Sequence, residues 1–182
     1  GGGVAGLFTA LKLAPLPALV IAGARPGRSG ASVWAQGGVA AAVGEGDSWE
    51  SHCRDTTAAG AGLSDPAMAA LLAREGPERI GDLVRLGTPF DRDAQGALAL
   101  GLEAAHARPR IVHVQGDRAG AVITGTLAAA AAARPSITVL DAFHAVELAV
   151  ADGRVVGLFA REGSGASARL VLFRASSVIL AT

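Results

Sequence analysis

The stretch Gly1-Gly2-Gly3-Val4-Ala5-Gly6 decides the fold, because it follows the pattern G-x-G-x-x-G and opens a helix-compatible run. In such a turn Gly1 permits a tight bend, Gly3 lets a pyrophosphate approach the backbone, and Gly6 allows close helix packing. The free N–H groups of the helix's first turn then face an anion, helped by the helix dipole. The pattern is not specific by itself, since a purely structural glycine turn explains it equally well.

Composition sets the bounds around this turn. The chain has 182 residues, of which 51% are apolar and only 4% aromatic, so one domain with an aliphatic core is expected. Its 16 basic and 16 acidic residues cancel, which speaks against a nucleic-acid partner. Cys53 is the single cysteine, so a disulfide framework is excluded and the cytoplasm is the simplest compartment. The most apolar run, residues 119–133, is shorter than the ~20 residues that span a bilayer, so no membrane association is expected.

The chain after the glycine turn predicts part of a βαβ unit. A helix over residues 4–14 ends at Pro15, and the apolar run at residues 18–22 suits a buried parallel strand. Many dinucleotide folds place an acidic, ribose-binding residue at the end of this strand. Here Gly23-Ala24-Arg25 follow instead. This weakens an NAD interpretation more than a flavin one; Arg25 either meets a phosphate or is solvated.

The remaining elements predict an α/β fold with a parallel central sheet and an antiparallel β-meander. Helices are expected from Asp47 to about residue 58, from Pro66 to residue 74, and over residues 77–86. A helix at residues 121–133 and a strand at 137–140 add to the parallel sheet. Asp152-Gly153 signals a hairpin between strands 144–150 and 155–160. Strands at residues 169–173 and 177–182 complete the pattern.

Two segments stand out by their polar or glycine content. Residues 30–40 are too glycine-rich for a strand interior and too apolar for a linker, so they suit an extended segment packed on a flat surface or a buried crossover. The loop from Glu103 to His113 concentrates Glu, His and Arg in an otherwise apolar chain. Its open interpretations are a metal site, a solvated loop, and a wall that binds an ammonium group and carboxylates. His52 is expected to be a packed or partly exposed side chain of its helix and not a ligand.

Spaced motifs then give a family resemblance over essentially the whole chain. Ser32 followed by Ala35-Gln36-Gly37-Gly38 resembles the succinate dehydrogenase/fumarate reductase flavoprotein family. Within that family, the L-aspartate oxidases are the most similar through three later stretches, which are Asp47-Ser48-Trp49-Glu50, Asp55-Thr56 and Ala59-Gly60-Ala61-Gly62-Leu63. The resemblance implies a Rossmann-like FAD-binding domain, with its first strand before Gly1 and a capping domain after Thr182. The 182 residues alone are then expected to be inactive.

The same resemblance implies how FAD is held. Covalently flavinylated members carry a histidine five residues before the glutamine, and Ala31 stands at that position, so non-covalent FAD is expected. The cofactor-binding residues it implies are Gly1, Gly2, Gly3, Val4, Ala5, Gly6, Ala31, Ser32, Val33, Trp34, Ala35, Gln36, Gly37, Gly38, Ala145, Val146 and Thr182.

The substrate side also follows from the resemblance. The family's E-G-G-H-x-x-x-R motif maps onto Glu103, His106 and Arg110, with Ala104-Ala105 and Pro109 as departures. It implies oxidation of L-aspartate to iminoaspartate with oxygen or fumarate as acceptor, in the quinolinate route to NAD, and no metal. Transient contact with quinolinate synthase is expected. The alternatives are a fumarate reductase or succinate dehydrogenase flavoprotein, which Ala31 and Glu103 disfavour, and an inactive nucleotide-binding fragment.

Overall fold

A computed structural model describes residues 1–163 and 165–181, and the chain divides into two compact units. The terminal unit consists of Gly1–Trp34 together with the chain from Ile123 onward, and the central unit is Ala35–Val122. Each unit has its own buried residues and its own strands, and each is described by itself below.

The helices and strands follow one another in mixed order. The helices are α1 (Val4–Leu13), α2 (Ala31–Trp34), α3 (Trp49–Ala59), α4 (Pro66–Arg85) and α5 (Ala119–Ala132). The strands are β1 (Ala18–Ile21), β2 (Gly38–Ala40), β3 (Leu100–Gly101), β4 (Ile111–His113), β5 (Ile137–Leu140), β6 (Phe143–Ala151), β7 (Arg154–Glu162) and β8 (Arg169–Arg174). A short 3-10 turn at Gly165–Ser167 precedes β8.

The terminal unit is built on a parallel pair of strands. β1 pairs with β5 from Ala18 opposite Ile137 to Ile21 opposite Leu140. β1 is a continuous apolar run and β5 is rich in β-branched residues; Val20 and Ile137 are buried, whereas Leu19 and Thr138 are exposed. α1 and α5 supply much of the core, through Leu7, Ala10, Ile123, Leu127 and Ala131. The parallel pairing and the flanking helices confirm the predicted α/β class.

The β-meander of the terminal unit follows the predicted hairpin rule. β6, β7 and β8 form an antiparallel sheet in sequence order. Ala151 pairs with Arg154, so the loop is two residues, and Asp152 and Gly153 have φ angles of 51° and 72°. Positive φ at both positions is what a type I′ turn requires, and Asp-Gly supplies it at low cost. The hairpin prediction is confirmed.

The central unit combines a small antiparallel sheet with two packed helices. β4 lies between β2 and β3, with Val39 and Leu100 both opposite Val112. α3 packs against α4, which buries Ala69, Ala73, Ile80 and Leu83 along one side. Ile111, Val112 and Val114 are buried on the sheet. This frame fixes both ends of the loop that carries Glu103.

Three local predictions were wrong. Residues 66–85 form one helix, with Pro77 inside it, because the buried side of α4 continues across the proline. Residues 31–34 form a helical turn within the segment expected to be extended, since Val33 N–H donates to Gly30 O at 3.1 Å. The N-cap of α3 is Ser48, whose side chain accepts from Ser51 N–H, and Asp47 is thereby left for another partner.

The returning strand predicted at residues 177–182 is also wrong over 177–181, and residue 182 lies outside the described residues. An apolar sequence makes a strand only when a neighbouring strand takes up its backbone N–H and C=O groups. None of the described strands pairs with these residues. In the described part of the chain, no helix is long and apolar enough to cross a membrane.

Candidate functional site

The glycine turn at the start of α1 is closely packed at Gly3 and Gly6, the second and third glycines of the G-x-G-x-x-G pattern. α1 has Gly3 as its N-cap, a residue without a side chain to cap the helix. A Cβ on Gly3 would lie 2.8 Å from Ser32 Oγ, and one on Gly6 would lie 1.9 Å from the carbonyl oxygen of Gly1. Ser32 Oγ also accepts from Val4 N–H at 3.2 Å. At Gly6 the backbone itself excludes a larger residue, and at Gly3 a side chain would displace the Ser32 hydroxyl that accepts from Val4 N–H.

This turn fits the phosphates of FAD. The N–H groups of the first helical turn carry the positive end of the helix dipole, which favours an anion. No acidic residue lies in the first turn of α1, and Ser32, whose hydroxyl accepts from Val4 N–H, carries no charge, so no carboxylate of the helix neutralises that end. Gly1, Gly2, Gly3, Val4, Ala5 and Gly6 would therefore hold the pyrophosphate through backbone atoms.

The Ala31–Gly38 segment divides between the two units. Ala31, Ser32, Val33 and Trp34 form α2 of the terminal unit, where the Trp34 side chain is 78% exposed. Ala35, Gln36, Gly37 and Gly38 lead into β2 of the central unit, where Gly37 has a φ of 70°. Gln36 Nε2 lies 3.5 Å from Asp117 Oδ2, a long contact that leaves the amide available.

The predicted adenine-side residues Ala145 and Val146 lie on β6. The register of β6 against β7 shifts between Ala145 and Glu147, so Val146 is the extra residue of a bulge and is 62% exposed. A bulge re-aims a side chain away from the regular alternation of a strand. Both residues are thus accessible in the terminal unit, while the predicted contact at Thr182 lies outside the described residues.

Arg110 is completely buried in the central unit and is bound by two carboxylates. Its Nε and Nη2 donate to the two oxygens of Asp47 at 3.0 and 2.9 Å, and its Nη1 donates to Asp55 Oδ2 at 3.0 Å. Nη2 also donates to Ser51 Oγ at 3.2 Å. The sequence predicts that this guanidinium faces a substrate carboxylate. In the structure it faces the carboxylates of Asp47 and Asp55.

Asp55 ties the Glu103 loop to α3 at a second point. Its Oδ2 accepts from Ala107 N–H at 2.8 Å as well as from Arg110. The Ala107 N–H lowers the pKa of the Asp55 carboxyl, and the charge of Arg110 lowers that pKa further. The carboxylate form is therefore favoured, and it holds the loop at two places, residues 107 and 110.

Two histidines pack beside this ion-pair cluster. The rings of His52 on α3 and His106 on the loop meet edge to face, with centroids 5.6 Å apart. Both Nδ1 atoms are buried and have no hydrogen-bond partner among the described residues. Burial lowers the pKa of His52, and the nearby Arg110 and His106 lower it further, against the opposing charges of Asp47 and Asp55. A neutral, packed imidazole at position 52 agrees with the expectation for that residue.

Glu103 differs from the rest of the cluster because its side chain is exposed. It lies at the start of the loop, two residues after β3, where its carbonyl oxygen accepts from His106 N–H at 2.9 Å. Its carboxylate Oε1 is 3.7 Å from the position that a Cβ on Gly37 would take. The structure therefore brings the carboxylate beside the Ala35-Gln36-Gly37-Gly38 backbone. Across the described ranges 1–163 and 165–181, no group of three potential metal-ligating side chains comes together.

Sequence reasoning did not find Asp47, Ser51 and Asp55 as partners of Arg110. They lie on and just before α3, 63, 59 and 55 positions from the arginine. Their spacing with one another, four residues apart, does place them along one side of a helix start. That spacing was the available signal, but nothing local indicates which cation they bind.

A parallel strand pair, a glycine turn at a helix N-terminus and a β-meander define the class of dinucleotide-binding flavoproteins. The chain matches the FAD binding domain family over residues 1–182. It therefore belongs to that family, and FAD is its cofactor.

The most informative relatives are bacterial L-aspartate oxidases. The chain is 48% identical over 158 residues to that of Mesorhizobium japonicum, covering 87% of this chain and 31% of the relative. It is 47% identical to that of Caulobacter vibrioides and 43% identical to that of Agrobacterium fabrum, covering 100% of this chain and 36% and 34% of the relatives. The chain thus spans about a third of their length.

Solved structures agree with this fold. Sdh1 of Mycobacterium smegmatis superposes with a TM-score of 0.91 at 33% identity, covering 100% of this chain and 32% of that one. The quinol fumarate reductase flavoprotein of E. coli superposes with a TM-score of 0.89 at 29% identity, covering 100% and 31%. These similarities confirm the predicted relation to the succinate dehydrogenase and fumarate reductase flavoproteins.

Proposed function

We propose that the protein carrying this chain oxidises L-aspartate to iminoaspartate with non-covalently bound FAD. The observation that carries the proposal is the exposed Glu103 carboxylate beside Gly37. Glu103 lies on a loop that hydrogen bonds to Asp55 fix to α3. The similarity to L-aspartate oxidases at 41–48% identity supports the substrate. FAD, held at the glycine turn of α1, would supply the two-electron redox chemistry, with oxygen or fumarate as the final acceptor.

Glu103 would recognise what distinguishes aspartate from other four-carbon dicarboxylates. An ammonium group offers charged N–H donors to a carboxylate, whereas succinate and fumarate offer none at that position. An anionic side chain also disfavours ligands that bring no positive charge to it. Glu103 would therefore bind and orient the substrate amine, and its charge would select aspartate.

Arg110 and His106 would act by placing Glu103. Four hydrogen bonds from Arg110 to Asp47, Asp55 and Ser51 hold the end of the loop. His106 packs on His52 and donates its backbone N–H to the carbonyl of Glu103. A loop fixed in this way holds the backbone of Glu103 in one place before substrate binds, which lowers the entropic cost of recognition.

The second candidate is a fumarate reductase or succinate dehydrogenase flavoprotein. Two solved flavoproteins of those names, at 29% and 33% identity, favour it as the alternative. Ala31 and Glu103 distinguish the candidates, because Ala31 has no nucleophile for a flavin linkage and Glu103 suits an amine. In the proposed role, iminoaspartate would pass to quinolinate synthase through a transient contact in the cytoplasm, on the route to NAD. Hydrolysis of a free imine in water gives that contact its chemical reason.

The test uses an enzyme of the relatives' length that carries this chain. The purified holoenzyme should consume oxygen with L-aspartate and show no such activity with succinate. After acid precipitation, the flavin should appear in the supernatant as intact FAD, because Ala31 forms no covalent bond. Succinate oxidation without aspartate oxidation would favour the second candidate, and flavin retained in the pellet would contradict non-covalent binding.

A further inference from the structure

The carboxyl end of β1 is unusual for a nucleotide-binding fold. In many such folds an acidic residue at this position binds the ribose hydroxyls of the adenosine. This chain has Gly23-Ala24-Arg25 there, so a carboxylate is missing from the sequence at that point. The space beside Gly23, where such a side chain would lie, is therefore open to another residue.

His144 occupies it. A Cβ built on Gly23 would lie 2.8 Å from His144 Nε2 and 2.9 Å from its Cδ2. Real Cβ atoms do not approach other atoms that closely, so the edge of the imidazole fills the volume where a side chain at position 23 would begin. Gly23 and His144 are thus complementary: the missing side chain of one makes room for the ring of the other.

The backbone holds His144 at this place. β1 and β5 run parallel, and Ala22 N–H donates to Leu140 O at 2.9 Å just beyond their last paired residues. Ala142 then takes a φ of 59°, and Phe143 N–H donates to Ala22 O at 3.0 Å. The chain therefore leaves β5, turns, and begins β6 against the end of β1. His144 is the next residue, and its side chain is exposed.

The glycine turn lies beside the same backbone. A Cβ on Gly2 would lie 2.9 Å from Ala22 Cβ and 2.9 Å from Pro26 Cγ. Gly2 therefore lies against Ala22, and His144 lies against the next residue, Gly23. In a dinucleotide the adenosine ribose is joined directly to the pyrophosphate, so a ribose at this edge follows from a pyrophosphate at the turn.

We propose that His144 binds the ribose cis-diol of the adenosine half of FAD, in place of the acidic residue that the strand end lacks. A neutral imidazole has one N–H donor and one nitrogen acceptor, and either can pair with a hydroxyl. The assignment rests on FAD binding by this chain and adds to it the residue that recognises the sugar.

The test uses an enzyme of the relatives' length that carries this chain, and measures its binding of FAD, ADP and 2′-deoxy-ADP, the two ADP probes by competition with FAD. His144→Ala should weaken FAD about 2- to 13-fold, the range of one neutral hydrogen bond. Wild type should prefer ADP to 2′-deoxy-ADP by a similar factor, and the preference should disappear in His144→Ala. Arg154→Ala, at the far end of the β6–β7 hairpin, should leave both properties at the wild-type value.

A double variant gives the sharper test. Gly23→Glu alone should weaken FAD, because the new side chain collides with the ring of His144. Combined with His144→Ala, the glutamate gains that space and should restore the preference for ADP over 2′-deoxy-ADP. Equal binding of the two nucleotides by wild type that binds FAD would overturn the role of His144 and leave the proposed function intact. Failure of wild type to bind FAD would contradict both.

Discussion

Arg110 is the largest fully buried side chain among the described residues, and its charge is matched by Asp47 and Asp55. A buried cation is tolerated only when its hydrogen bonds are satisfied, and removal of one partner leaves an uncompensated charge. The side chain of Asp47 is 2% exposed, so it depends on the arginine as much as the arginine depends on it. Arg110 is therefore a structural anchor for the loop that carries Glu103.

Replacement of Arg110 by Ala should lower the free energy of unfolding by about 3–5 kcal/mol, since Asp47 would remain buried without a cation. The matched control is Arg85→Ala, which removes an arginine that is 66% exposed from its pair with Asp82. That variant should lose no more than about 1 kcal/mol. Urea unfolding of the two variants measures the difference, and equal losses would contradict the assignment of Arg110 as an anchor.

His52 gives the cluster a pH dependence. Burial, Arg110 and His106 lower its pKa, so the folded chain keeps this imidazole neutral at a pH where the unfolded chain protonates it. The unfolded state then binds more protons, and stability present at pH 7 is lost as the pH falls below about 6.5. The slope should reach up to about 1.4 kcal/mol per pH unit for this one proton.

Urea midpoints between pH 5 and pH 7.5 measure that slope. His52→Gln should flatten it, because the replacement does not titrate. Arg85→Ala, which leaves His52 and its neighbours in place, should keep the wild-type slope. An unchanged slope in His52→Gln would show that the titrating group lies elsewhere.

At the scale of elements, local rules predicted more than long-range ones. Asp152-Gly153 determines its hairpin by itself, because its φ angles need no distant partner. The apolar run at β1 and the β-branched run at β5 likewise predict strands, and the two pair in parallel. The end of the chain shows the limit, since residues 177–181 have a strand-like sequence but no described strand beside them.

The sequence motifs locate the glycine turn and Glu103 of the candidate site. They do not indicate which residues bind Arg110. A charged cluster in the sequence indicates chemistry without stating which charges meet. Asp47 and Asp55 reach the arginine only because α3 packs beside the loop, and that packing is a property of the folded unit. The ring of His144 over Gly23 depends in the same way on the β1–β5 pairing.

Substitution of Gly6 tests the turn at the start of α1, and substitution of Gly125 in α5 is the control. Gly6→Ala would place a Cβ 1.9 Å from Gly1 O, so the backbone must move and FAD affinity should fall by at least about tenfold, the equivalent of 1.4 kcal/mol. Gly125→Ala in α5 meets no atom within 4 Å and should stabilise the chain by about 0.4–1 kcal/mol. FAD titration and urea unfolding of both variants make the comparison. Wild-type FAD affinity in Gly6→Ala would contradict the phosphate role of this turn.

At the scale of the whole molecule, the chain belongs to the FAD binding domain family and spans about a third of the length of its L-aspartate oxidase relatives. The two units contribute different features: the terminal unit has the glycine turn and His144, and the central unit has Glu103 and its anchors. Cofactor binding and amine recognition can therefore be tested by separate substitutions.

Glu103 is proposed to recognise the substrate amine, and a comparison of one substrate that has an amine with one that lacks it tests that role. In an enzyme of the relatives' length that carries this chain, kcat/KM is measured for L-aspartate oxidation and for fumarate reduction, in wild type and in Glu103→Gln. A hydrogen bond to a charged group contributes about 1.5–3 kcal/mol, so the variant should lose about 10- to 150-fold on aspartate. Glu75→Gln, on an exposed position of α4, is the control and should match wild type on both substrates.

Fumarate has no amine, so its reduction by Glu103→Gln should stay near the wild-type value or improve. A selective loss on aspartate is the result that the proposed role of Glu103 predicts. Equal losses on both substrates would mean that Glu103 supports the loop without touching the amine. Unchanged kcat/KM on both would contradict the proposal that the carboxylate faces the substrate.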